Sequence, residues 1–179
     1  MAFATWSDRA AADLEAFAEA QGIPVALSFR RQDYMDNGHA NYVGALSVGM
    51  RPGLKRALDE ADLLLVLGSR FGDITSNAYA RTPGAPGPRI IHVHPDPDEV
   101  GRVYRSDLSV PAAVPAMLAA LARLDGTRPN DRADWTARLR ADYEAYVQSV
   151  ETPGAVKLEQ VVLTLQDMIP EGAALTNGA

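Results

Sequence analysis

The chain has 179 residues, a net charge of −6 and no cysteine, with 47% apolar and 22% charged residues. That composition describes one ordinary globular domain, or one domain with pieces of a neighbour. It excludes disulfides and thiolate metal sites, and it argues against a broad nucleic-acid or anionic-membrane surface.

In chain order, Ser7 can cap a helix through Ala10 to Gln21, with Leu14, Phe17 and Ala18 on one face and Gly22 as its stop. Ile23 to Phe29 reads as a strand. The segment "RRQDYMDNGHANYVG" is polar and turn-rich and reads as a loop, and Gly53 to Asp62 is a short helix. Leu63 to Leu67, "LLLVL", shows no alternation, which predicts a strand covered on both faces, as in a parallel sheet. Thr82 to Arg89, "TPGAPGPR", is a loop. Ile90 to His94 is a strand, "DPDEVGRVY" begins a helix with Pro97 near its first turn, and Asp107 to Val110 is a last short strand. An Ala/Leu helix follows, with Pro115 near its start.

Beyond Leu124 the rhythm changes. "DGTRPN" is a linker, and Asn130 or Asp131 caps a long helix with Trp135, Leu139, Tyr143, Tyr146 and Val147 near one face. "TPGA" is a second linker. Leu158, Val161, Val162, Leu165 and Ile169 then form an apolar helical stripe, and "AALTNGA" starts a strand. No stretch approaches the roughly 20 apolar residues of a membrane span, and the opening "MAFATWSDRAAADLEAF" lacks the pattern of a signal peptide. Residence in the cytoplasm is the expectation.

Alternation of helix and strand predicts an α/β doubly wound parallel sheet of Rossmann type. The pattern opens on a helix, whereas a right-handed crossover unit needs a strand ahead of it. A first strand is therefore expected to be missing from the pattern.

The exit of "LLLVLGSRFGD" carries the chemistry. In open parallel sheets, ligands lie beyond the carboxyl ends of the strands. Gly68 permits close approach to the backbone, Ser69 offers a hydroxyl and an N–H, and Arg70 offers a planar fork suited to phosphate. The bland alternative is a strand-end turn with a solvated arginine. For an isolated Gly-x-Arg, that alternative is the better one.

The string "ADLLLVLGSRFGD", followed by "RIIHVHPDPDEVGRVYRSDLSV", resembles the central domain of thiamine-diphosphate enzymes of the acetolactate synthase group. "GIPVALSF" resembles that domain's second strand, and "NYVGALSVG" its following glycine-containing loop. The likeness covers roughly Trp6 to Leu124, and the tail from Leu158 looks like the opening of the family's C-terminal domain. It implies three parts: a central FAD/ADP-binding-like domain over 1–124, a linker with a helix over 125–156, and the start of a thiamine-diphosphate-binding domain over 157–179.

The resemblance further implies a parent enzyme that uses thiamine diphosphate and Mg²⁺ to join or cleave bonds beside a 2-keto acid carbonyl. The family's activating glutamate and its "GDG" metal-diphosphate motif are not in this sequence, so the fragment alone is expected to be inactive, with no catalytic or metal residue to name. The middle domain binds a structural FAD in the acetolactate synthase branch, and ADP or nothing elsewhere. By position, Gly44, Ala45 and Leu46 would line the flavin side, Gly68, Ser69, Arg70 and Asp73 would meet the pyrophosphate and ribitol, and His94 and Pro95 would sit at the adenine end. His94 stands where the family usually has a ribose-holding acid, and Ala112 and Ala113 stand near a usual Gly-Asp pair.

Other candidates are weaker. His92 and His94 share a strand face, as a metal pair would, but ordinary hydrogen bonding explains a strand-end pair better. Arg30 and Arg31 suit phosphate or solvent equally. Asp33, Asp36 and Asn37 have the composition of a calcium loop but not its spacing. The expected partners are the remaining domains of the parent and other copies of the chain, with neither nucleic acid nor membrane. Two rival readings are a vestigial spacer that binds no nucleotide and an independent dinucleotide-binding regulatory domain.

Overall fold

A computed structural model describes residues 6–79, 87–125, 130–170 and 172–173. The chain divides into two compact units, residues 1–146 and 147–179.

In the first unit, helix α1 (Asp8–Gln21) begins where Ser7 Oγ accepts the Ala10 N–H at 3.3 Å, and ends at Gly22 in the left-handed conformation, φ 63°. Strand β1 (Val25–Ser28) follows, then a single 3₁₀ turn (Gln32–Tyr34) and strand β2 (Tyr42–Leu46). The loop expected here is thus shorter than its polar composition suggested: Tyr42, Val43 and Leu46 are buried and carry β2 into the sheet. Helix α2 (Pro52–Glu60) leads to β3 (Leu63–Leu67), then β4 (Arg89–His94), β5 (Leu108–Pro111), α3 (Val114–Leu121) and α4 (Asn130–Tyr146). Residues 82–86 of the predicted Pro/Gly loop lie outside the described residues.

The helix expected after Pro97 does not form. Residues 96–102 instead make successive turns, with Glu99, Val100 and Arg102 N–H groups reaching the carbonyls of Asp96, Pro97 and Glu99. Gly101, at φ 71°, ends the run, and its N–H is captured by the His92 side chain rather than by a helical carbonyl.

All strand pairs are parallel, as the unalternating apolar runs predicted. They form two sheets, β1-β2 and β3-β4-β5. Both sheets lie between the same two apolar clusters. Val25 and Leu27 of β1 and Leu67 of β3 join Leu14 of α1 and Leu118 of α3 on one face. Ala26 of β1, Val43 and Leu46 of β2, and Leu64 and Val66 of β3 join Leu54 of α2 and Leu139 of α4 on the other.

Since α1 and α2 cover opposite faces, right-handed crossovers run in opposite directions over them. A strand leading into α1 would therefore lie at the break between the two sheets. β3 is less buried than its composition implied for the same reason. Its second edge has no paired strand among the described residues, and Leu63 is 40% exposed.

Helix α4 packs along β2 and α2 through three devices. Arg140 Nη1 donates to the carbonyls of Asn37, His39 and Tyr42 at 2.9, 3.0 and 3.1 Å. Tyr143 meets Tyr42 edge-on at 5.2 Å. The buried Arg51 donates to Val43 O at 2.7 Å and Leu139 O at 3.3 Å, and pairs with Asp142. Residues 130–146 belong to the first compact unit.

In the second unit, helix α5 (Leu158–Met168) carries the predicted apolar stripe, with Leu158, Val161, Val162 and Leu165 exposed. The strand expected at 173–179 falls almost wholly outside the described residues. No helix among the described residues is long and apolar enough to cross a membrane.

Candidate functional site

The parallel register pairs Leu67 with Val93 and His94 with Pro111, so β3, β4 and β5 end side by side at one edge of the sheet. The Gly68 N–H donates to Val93 O at 2.8 Å and extends the ladder by one bond. The chain then turns sharply. Gly68 lies at φ 69°, and a Cβ there would come within 2.7 Å of Val114 Cγ2 of α3. Packing of α3 against the strand end therefore demands this glycine.

Three residues later Phe71 also adopts positive φ, 50°, which is costly for a bulky aromatic. Its buried ring, stacked obliquely on Tyr104 at 5.4 Å, holds it there, and Ser69 Oγ accepts its N–H at 3.1 Å. Asp73 Oδ1 caps the next turn by accepting the Ile74 N–H at 2.8 Å. Beyond it, Asn77, Ala78 and Tyr79 all have positive φ.

The predicted site residues fall into two places. Gly68, Ser69, Arg70 and Asp73 at the exit of β3 stand beside His94 and Pro95 at the exit of β4. Gly44, Ala45 and Leu46 belong to β2, in the other sheet. Gly44 is covered by the chain itself: a Cβ there would meet Tyr143 Cδ2 at 3.4 Å and Arg51 Nε at 3.6 Å. His94 turns back on its own loop, its Nδ1 accepting the Asp96 N–H at 3.1 Å.

His92 is buried and both ring nitrogens are engaged. Nε2–H donates to Ser69 O at 2.8 Å, and Nδ1 accepts the Gly101 N–H at 3.1 Å. These bonds define a neutral tautomer. Burial holds the ring below the usual histidine range, and His94 adds to that effect, while the Ser69 carbonyl and Glu99 oppose it. His92 is therefore a structural tie. Among the described residues no cluster of three or more metal-ligating side chains occurs.

The sequence reading passed over Glu99. Its carboxylate is buried; Oε1 accepts from Arg102 Nη1 at 2.9 Å and forms an ion pair with Arg70 Nη2 at 3.2 Å. A glutamate three residues before an arginine in a turn carries no special signal. Only the folded chain brings Arg70 to the same oxygen. Farther away, burial raises the Tyr42 phenol to about 12, with Tyr143 adding to the effect, and burial lowers the Arg51 guanidinium from its ordinary value.

Residues 4–121 match the model of the thiamine pyrophosphate enzyme central domain. The chain belongs to this family. It is a central domain of the acetolactate-synthase-like kind, as its relatives show. It is 30% identical over 159 residues to the acetolactate synthase of Mycobacterium avium, an alignment covering 86% of this chain and 25% of that protein. It is 26% identical over 167 residues to the acetolactate synthase large subunit of Parasynechococcus marenigrum, covering 92% and 27%. It is 32% identical over 127 residues to the isozyme 1 large subunit of Escherichia coli, covering 70% and 22%. The central domain thus spans about a quarter of the length of these curated relatives.

Proposed function

We propose that this central domain serves a thiamine-diphosphate-dependent, acetolactate-synthase-like parent acting on 2-keto acids, and that its β3–β4 crevice binds the diphosphate of FAD or ADP. The observation that carries this is the exit of β3, where Ser69 and the exposed Arg70 stand at the carboxyl edge of a parallel sheet, directly beside the end of β4. A guanidinium there suits a phosphate oxygen pair. The residues fit the diphosphate better than the isoalloxazine, because Tyr143 and Arg51 already cover Gly44.

The test is titration of the intact chain with FAD and with ADP. Saturable binding that falls about 10- to 150-fold in Arg70→Ala, the equivalent of roughly 1.5–3 kcal/mol for a charged hydrogen bond, supports the reading. Binding of neither ligand overturns it.

The covering of Gly44 favours a second reading, a spacer whose flavin side the chain fills with its own side chains. Tyr143→Ala separates the two: a gain in FAD affinity with no change for ADP would mean that α4 masks a usable flavin site, and no FAD binding in either form would leave the spacer. The rest of the activity belongs to the parent. Thiamine diphosphate and Mg²⁺ would act in its other domains, and this chain with both added should turn over no pyruvate. The edge of β3, unpaired among the described residues, and the apolar face of α5 support association, with the parent's remaining domains or with further copies of the chain. The cytoplasm is the compartment that suits such an enzyme.

A further inference from the structure

Asn37 and Gly38, ahead of β2, are both exposed and form the middle of a tight turn, closed by the His39 N–H on Asp36 O at 3.1 Å. The Asn37 side chain makes no hydrogen bond to a described residue; only its backbone carbonyl is engaged. Asn41 differs. Its buried amide donates to Ala18 O at 3.1 Å and to Ile23 O at 2.8 Å, and is held in place.

The peptide bond after Asn37 is gripped at both ends. Asp36 Oδ1 accepts the Gly38 N–H at 2.8 Å, and Arg140 Nη1 donates to Asn37 O at 2.9 Å. Asp36 is itself anchored, with its N–H on Glu15 Oε1 at 3.0 Å. A carboxylate on the N–H and a guanidinium on the C=O polarise one amide in the same sense, and both loosen the N–H proton. Glycine leaves the nitrogen unshielded. A Cβ on Gly38 would stand 3.2 Å from Asp36 Oδ1, beside that same bond.

We propose that Asn37–Gly38 is a self-modification site, where Asn37 converts through a cyclic imide to isoaspartate, with Asp36 taking the proton and Arg140 selecting the product. In the first step the Gly38 nitrogen bonds to Asn37 Cγ and the Cγ–Nδ2 bond breaks. The N–H proton passes through the Asp36 carboxylate to the departing ammonia. Water then opens the imide. Arg140 holds the Asn37 backbone carbonyl, so negative charge that develops on that oxygen is stabilised there. Hydroxyl adds to that carbon, the bond from it to the Gly38 nitrogen breaks, and the nitrogen regains a proton. The main chain now runs through the former side chain, and the former backbone carbonyl is a carboxylate facing Arg140. One water is consumed and one ammonia released. The product lengthens the main chain by one methylene and adds a negative charge beside Asp36, ahead of β2. Neither step involves the β3–β4 crevice.

The test is peptide mapping by mass spectrometry of the intact chain, kept in warm neutral buffer, with the free peptide of residues 32–41 as reference. Enzymatic methylation of isoaspartyl groups counts the product. A gain of one dalton is expected at Asn37 and none at Asn41. The ratio of isoaspartate to aspartate should exceed that of the peptide by about twofold or more. Arg140→Ala should return this ratio to the peptide's, whatever it does to the total rate. Loosening of the turn alone would change the rate and leave the ratio. Arg140→Gln, which keeps a donor and loses the charge, should fall between the two and serves if Arg140→Ala does not fold. Asp36→Ser, which keeps an acceptor for the Gly38 N–H and loses the charge, should slow ammonia release several-fold without moving the ratio.

The proposal is overturned if Asn37 stays intact while the free peptide converts, or if the folded chain gives the peptide's ratio. It is overturned equally if the arginine variants keep the wild-type ratio, or if Asp36→Ser converts as fast as the wild type or faster.

Discussion

At Gly68, one residue answers to two demands. Its φ of 69° is strained for any side chain, and a Cβ would stand only 2.7 Å from Val114 Cγ2. Gly68→Ala should therefore lower stability by about 1–3 kcal/mol through the left-handed penalty and the overlap together, read as a fall in Tm. Val114→Ala in the same chain should recover part of the loss, because it removes the overlap but not the strain. His92 makes a different demand. An unfolded histidine titrates near about 6.5, and burial holds the folded ring below that. As pH falls between these two values the unfolded chain binds more protons than the folded one, so the His92 contribution to stability is full above about 6.5 and declines below it. The charged or titratable neighbours that bear on the ring are His94, which lowers it further, and Glu99, which raises it. Melting from pH 7.5 down to 5.5 should show a falling Tm in the wild type and a flatter profile in His92→Gln. Equal slopes would place the pH dependence elsewhere.

Among the elements, α4 depends most on contacts distant in sequence. Its residues 130–146 carry an apolar face, but the sequence cannot show what that face meets. In the fold, Arg140 donates to three carbonyls of the 37–42 segment, at the entry of β2. Arg140→Ala should leave those acceptors without this donor and cost about 1.5–3 kcal/mol. Amide exchange should then accelerate in α4 and around Tyr42. Exchange that rises uniformly over the whole first unit would argue for global destabilisation instead of local release. The turns at 96–102 carry the opposite lesson. Pro97 and the residues after it have helical composition, yet the His92 ring takes the Gly101 N–H and the helix is never built. A long-range hydrogen bond here overrides local propensity.

For the whole molecule, the parallel sheet in two pieces and the exposed stripe of α5 set the expectation for assembly. Leu158 and Met168 are 74% and 73% exposed, with Val161, Val162 and Leu165 along the same helix. Burying about 500 Å² of such surface would favour association by about 12 kcal/mol, at about 25 cal/mol per Å² and before the cost of association. The edge of β3 that has no paired strand among the described residues adds a template for a further strand. Sedimentation at tens of micromolar should show at least a dimer for the intact chain. The chain ended at Tyr146 should shift toward monomer if α5 forms the contact, and should remain associated if the sheet edge does. Monomers in both cases would show that neither surface drives association.

Much of this protein was legible along the chain. Serine before and glycine after α1, unbroken aliphatic runs at β3 and β4, and a glycine with an arginine at a strand exit are local signals, and each follows from backbone geometry or from burial on two faces. The family resemblance was legible too, because it rests on those same runs in order. The site was legible only where it is continuous in sequence, at Gly68 to Asp73. Which residues share Glu99, why His92 is neutral, and what covers Gly44 depend on side chains distant in sequence that meet across strand ends and helix faces. Hydrogen bonds and close packing are satisfied in space, so Glu99 beneath Arg70 and Arg102, and Tyr143 over Gly44, were decisions of the tertiary structure alone.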